Sequence, residues 1–132
     1  MGYLLDTNIV SDLVRNPAGS VATHIRAVGE GLVCTSIIVA AELRFGAAKK
    51  GSPRLARQLE AVLAALSVLP FEKPADTAYG ALRARLAAMG QPIGANDLFI
   101  AAHAMALGHT IVTDNVREFA RIHDLPRENW LR

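Results

Sequence analysis

The chain has 132 residues, 52% of them hydrophobic, with 14 Lys plus Arg against 12 Asp plus Glu and a single cysteine, Cys34. That length suits one domain with a substantial core, and the small net charge of +2 leaves any nucleic-acid affinity to local patches. One cysteine excludes an internal disulfide and any Cys-rich zinc site; with no basic leader before an apolar stretch and no apolar run of about 20 residues, the expected setting is cytoplasmic, away from membranes.

The first element is a short buried strand at residues 3–5 that runs straight into Asp6, Thr7 and Asn8. A short helix follows, on which Ile9, Val10, Leu13 and Val14 read equally well as core or as a dimer or partner surface. A second strand at 32–35 leads into "TSIIVAAELRFG", a helix with Glu42 two turns in, among apolar neighbours. Leu55, Leu59, Val62, Leu63 and Leu66 mark one face of an amphipathic helix, and a third strand follows at 68–69. Ala75, Ala78, Leu82, Leu86 and Met89 repeat the helical spacing after Pro74, placed as a first helical residue, and Gly90 closes the element. Residues 98–107 are apolar almost all round, which predicts a buried central helix ended by Gly108. A fourth strand at 110–113 delivers Asp114. Strands alternating with helices give an α/β fold: a mainly parallel sheet with helices on both faces, whose ligands bind beyond the carboxyl ends of the strands.

Asp6 and Asp114 follow strands, and Asp97 opens the central helix after "GQPIGAN". Each reads in two ways. Taken singly, each Asp is an ordinary helix cap or first-turn acid; Glu42 fits that account least, its plain alternative being an ion pair with Arg44. If the four converge, carboxylates about 5 Å apart repel by roughly 3 kcal/mol per pair at an effective dielectric near 20, and something positive must sit among them. Oxygen-only donors select Mg²⁺ or Mn²⁺ over zinc. His24, His103, His109 and His123 form no ligand pattern; His103 is expected to be a helix residue with a satisfied partner and the others surface residues. Thr7, Asn8, Asn96 and Asn115 stand beside the acids, either as turn and cap residues or as hydrogen-bond partners that hold the acids and metal-bound water. Arg44, Lys49, Lys50, Arg54 and Arg57 form one basic cluster suited to phosphate, with Arg83, Arg85, Arg117 and Arg121 a second. Only 5% of residues are aromatic, so platforms for stacking single-stranded bases are scarce, and any nucleic-acid partner would be read through shape and backbone, which favours a structured one.

Together "LLDTNIVSDL", "TSIIVAAELRFGA", "IGANDLFIAAHAMALGHTIVTDNVREFARI" and "LPRENW" resemble the PIN-domain toxins of the VapC family, and the likeness runs over nearly the whole chain, 1–132. The resemblance implies a single PIN-like domain and a Mg²⁺-dependent endoribonuclease, with Mn²⁺ as a substitute. The family's acids fall on Asp6, Glu42 and Asp97, and on Asp114 at a position that some members fill with Asn. It also implies a toxin neutralised by a VapB-like antitoxin, in an assembly built on toxin dimers, and a substrate such as the anticodon loop of initiator tRNA. The rival is a PIN-like module that binds RNA or protein without cutting it. A haloacid-dehalogenase-like phosphatase fails because Asn8 stands where its second Asp belongs, and a receiver domain fails because Pro70 and Asp114 occupy the places of its later Asp and Lys.

Overall fold

Three strands reach one edge within a residue of one another, and that alignment places the polar residues at their ends. The computed structural model describes residues 1–131. In chain order the elements are β1 (Tyr3–Leu5), α1 (Thr7–Arg15), α2 (Ser20–Val28), a 3₁₀ turn (Glu30–Leu32), β2 (Val33–Ser36), α3 (Ile37–Lys50) and α4 (Pro53–Ala65). Then come β3 (Ser67–Leu69), α5 (Ala75–Ala88), α6 (Ala95–Leu107), β4 (Thr110–Val112), α7 (Val116–Phe119) and β5 (Arg127–Glu128). The sheet order is β3-β2-β1-β4-β5, and every pairing is parallel. Leu5 is in register with both Thr35 and Val112, so the chain leaves β1, β2 and β4 at one edge. The path steps outward from β1 through β2 to β3 and then returns to the other side of β1. This reversal sets a topological switch point between the carboxyl ends of β1 and β4, the place where open α/β sheets form their ligand-binding crevice.

Right-handed crossovers put the helices of the two halves on opposite faces of the sheet. Accordingly α1 packs with α2, α3 and α4, and α5 packs with α6, while α3 also meets α6. Gly51 and Gly108 end α3 and α6 in the left-handed region, at φ +66° and +69°, where a side chain is strained. Pro74 stands one residue before the first helical position of α5, as its cap. Among the described residues no helix is long and apolar enough to cross a membrane.

Two expectations are corrected. The helix after Asp6 is not an exposed partner surface: Ile9 and Val10 are 0% exposed and Leu13 and Val14 are buried, because the stripe they form faces the sheet and α3 and α4. His24 and His109 are also not free surface residues; His24 stacks on Trp130 with centroids 5.2 Å apart, and His109 Nδ1 accepts the Gly2 N–H. Trp130, 1% exposed, closes the core beside Tyr3, its carbonyl receiving the Ser20 hydroxyl. Ile9→Ala is expected to destabilise the chain by about 2–5 kcal/mol in denaturant titration, with a midpoint independent of protein concentration; a concentration-dependent loss would return the α1 face to an interface.

Candidate active site

Asp6 sits at the crevice because β1 ends there, and it does two jobs at once. It caps α1, accepting the Thr7 N–H at 2.7 Å, and its own N–H donates to Val112 O at 2.8 Å, carrying the β1–β4 ladder one residue further. Its other carboxylate oxygen accepts the Thr113 hydroxyl at 2.8 Å and lies 3.5 Å from Asn8 Nδ2. The side chain is 2% exposed. Burial raises its pKa, the hydrogen bonds from Thr113 and Thr7 oppose that rise, and the charges of Glu42 and Glu118 add to it.

Glu42 reaches the same crevice from α3: Oε1 accepts the Thr7 hydroxyl at 2.7 Å and Oε2 the Asn96 amide at 3.1 Å. The ion pair with Arg44 does not form, since that guanidinium grips Glu60 through two hydrogen bonds of 2.9 and 2.8 Å. Asp97, in the first turn of α6, receives the Asn115 amide at 3.5 Å. Its pKa is pushed up to about 6, first by burial and then by the charges of Asp6, Glu118 and Glu42. Asp114 follows β4; its N–H donates to Asn8 Oδ1 at 3.0 Å and its carboxylate accepts from Asn129 Nδ2 at 3.0 Å.

The sequence reading passed over Glu118. It lies on α7, takes the Asn115 amide at 3.1 Å and the Gly94 N–H at 2.9 Å, and its charge bears on both Asp6 and Asp97. Its only sequence signal is its place four residues after Asp114, on an element too short to show a period. Asn115 thus bridges two acids, Asn96 and Thr7 bridge Glu42 to the starts of α6 and α1, and Asn8 links Asp6 to the β4 end.

Asp6, Glu42, Asp97 and Glu118 form a cluster coupled by charge, and among the described residues none of them makes an ion pair with Lys, Arg or His. No three His, Cys, Asp or Glu side chains among the described residues close into a ready-made cage. An open, all-oxygen donor set of this kind fits Mg²⁺, which keeps several waters and takes one or two carboxylates; it does not fit zinc. Of the basic residues, Lys49, Lys50, Arg54 and Arg57 are exposed and make no ion pair among the described residues. Arg85 is held by Asp124, Arg83 lies over Tyr79, and Arg121 donates to Pro92 O.

Residues 3–125 match the PIN domain family. The chain is 37% identical over 129 residues to the tRNA(fMet)-specific endonuclease VapC of Shigella flexneri, covering 97% of each. It is 36% identical over 130 residues to ribonuclease VapC2 of Haemophilus influenzae, covering 98% of each. Its fold superposes with TM-score 0.90 and 36% identity on a chain of the Rickettsia felis VapBC2 crystal structure bound to promoter DNA, covering 98% of this chain and 99% of that one. For VapBC-1 of nontypeable Haemophilus influenzae the TM-score is 0.86 at 35% identity, with full coverage of both.

For an acid whose folded-state pKa lies above its unfolded value, the penalty is fully present above the higher value and fades as pH falls towards the lower one. In EDTA at pH 7.5, Asp97→Asn is therefore expected to stabilise the chain by about 1–2 kcal/mol. The full linkage figure is roughly 3 kcal/mol, reduced here because solvent screens a half-exposed carboxylate. Thermal melts should show the gap narrowing below pH 6 and closing near about pH 4.

Proposed function

This chain belongs to the PIN-domain family, and we infer from its VapC relatives and its acid cluster that it is a metal-dependent endoribonuclease, the toxin of a type II toxin–antitoxin pair. The whole chain, 1–132, is read as one PIN domain, since β5 completes the sheet just past the matched residues. The observation that carries the reading is the set of mutually repelling acids at the β1–β4 switch point, none of which makes an ion pair with a basic side chain among the described residues.

Asp6 and Asp97 would hold a Mg²⁺ ion most directly, Mn²⁺ serving as a substitute. Glu42 and Asp114 would complete its shell directly or through water, and Glu118 would add to them by its charge. A bound divalent ion lowers the pKa of a water and offsets charge on the scissile phosphate during in-line attack. The protein's part is positional. Thr113 and the Thr7 N–H hold Asp6 in one orientation; Thr7 and Asn96 fix both oxygens of Glu42. Asn115 holds Asp97 and Glu118 together across α6 and α7. Hydrogen bonds to the charged form of a carboxylate keep it ionised against burial, so these partners preserve the negative charge that a cation needs. Lys49, Lys50, Arg54 and Arg57, on α3 and α4, suit the RNA backbone, and tRNA is the substrate class suggested by the relatives' names.

The relatives' VapBC pairs support a VapB-like antitoxin as partner, in a homodimer or a larger toxin–antitoxin assembly, within the cytoplasm. The test incubates the purified chain with end-labelled total RNA in Mg²⁺ and in EDTA. Discrete cuts in Mg²⁺ that vanish in EDTA support the nuclease; RNA bound and left whole in both supports a binding module instead. Asp6→Asn keeps a residue able to cap α1, so it should retain the fold by circular dichroism while lowering cleavage by at least about 100-fold. Cleavage at the wild-type rate would remove Asp6 from the site.

A further inference from the structure

Ser36 and His103 lie outside the acid cluster, and both are buried, 0% and 2% exposed. Ser36 ends β2 and caps α3, its hydroxyl oxygen accepting the Ile38 N–H at 3.1 Å. The same oxygen shares a hydrogen bond with His103 Nδ1 at 2.8 Å. The imidazole belongs to the buried side of α6 and stands edge-on to Phe71, with centroids 5.5 Å apart. Burial holds its pKa below the ordinary value, so the ring is neutral at physiological pH. Two apolar side chains would fill this space without the desolvation penalty of two polar groups; the pair's distinctive contribution is a directional bond between two helices.

Those two helices carry the acids. Glu42 lies six residues after Ser36 on α3, and Asp97 six residues before His103 on α6, each a helical span of about 9 Å. The start of α3 therefore meets the middle of α6 through Ser36 and His103, while the middle of α3 meets the start of α6 through Glu42 and Asn96. One tie lies within the acid cluster, and the other lies behind it. Two tie points fix the rotation of one rigid helix against the other as well as their separation.

We propose that the Ser36–His103 hydrogen bond sets the placement of α3 against α6, and with it the separation of Glu42 and Asp97, making His103 a positioning residue for metal uptake and RNA cleavage. The proposal rests on the ribonuclease reading above. Without the rear tie α6 is free to turn about the Asn96 contact, and small displacements of carboxylates weaken an ion's binding before they disturb the core.

The test compares His103→Phe, which keeps a planar ring against Phe71 and loses the bond, with His103→Asn, whose amide reaches the place of Nδ1 and keeps it. Mn²⁺ affinity is read by calorimetry on the purified chain, and RNA cleavage by kcat and KM. His103→Phe should weaken Mn²⁺ binding and kcat by about tenfold each, with KM for RNA unchanged; His103→Asn should return both to within about threefold of wild type, even if it melts no higher than His103→Phe. Wild-type Mn²⁺ affinity in a folded His103→Phe, or equal losses in both variants that follow their melting temperatures, would overturn the positioning role. Should His103→Phe fail to fold, Ser36→Gly removes the bond from the other side while keeping most of the cap; the same tenfold loss is expected, and wild-type affinity there overturns the role as well. A wild-type chain that neither takes up Mn²⁺ nor cuts RNA overturns the ribonuclease reading itself, whereas an active wild type matched by its variants overturns only the positioning role.

Discussion

Negative charge gathered at the switch point between β1 and β4 is the constraint around which the carboxyl edge of this sheet is built. Asp6 is almost wholly buried, Asp97 is pushed up to about 6 by burial and by its acidic neighbours, and Glu42 and Glu118 add to both. An isolated buried carboxylate would simply take up a proton. Here amide and hydroxyl donors from Thr7, Asn96, Thr113 and Asn115 surround the acids and favour their ionised forms. The result is a site that repels itself when empty and is relieved by a cation, which is the electrostatic condition for binding a hard metal ion and, through it, a phosphate.

The fold supplies this arrangement through register. Because Leu5, Thr35 and Val112 stand in register, Asp6, Ser36 and Thr113 emerge side by side, and each serves the site differently. Asp6 is itself an acid, Thr113 orients it, and Ser36 anchors the helix that carries Glu42. The return of the chain from β3 to β4 brings α6 beside α3 and so adds Asp97 from a residue distant in sequence. Parallel strands are joined only through long connections, and here those connections are the helices that bear the remaining acids.

Much of this was legible in the sequence. Apolar runs gave four strands to within a residue or two, the all-round apolar stretch gave the buried α6, and Glu42 stood out as a charge among apolar neighbours, while Asp6 and Asp97 taken singly read as ordinary caps and gained meaning only as members of a converging set. What escaped had a physical reason. β5 is Arg127–Glu128, two charged and exposed residues at the sheet edge; only backbone pairing makes it a strand, and side chains carry no trace of that. Glu118 sits on a four-residue helix, too short for a period. The stripe of α1 looks alike whether it faces a partner or its own sheet, and only the tertiary arrangement shows that α3 and α4 cover it. The pairing of Arg44 with Glu60, sixteen residues on, depends on how α3 packs against α4, which local spacing does not encode.

Carboxyl ¹³C NMR on the metal-free chain, following Asp97 from low to neutral pH with and without saturating Mg²⁺, reads the central electrostatic claim directly. The account predicts a midpoint near the value of about 6 in EDTA and a clear fall once Mg²⁺ is present, because a cation favours the ionised form. A midpoint in the ordinary aspartate range without metal, unmoved by Mg²⁺, would contradict it.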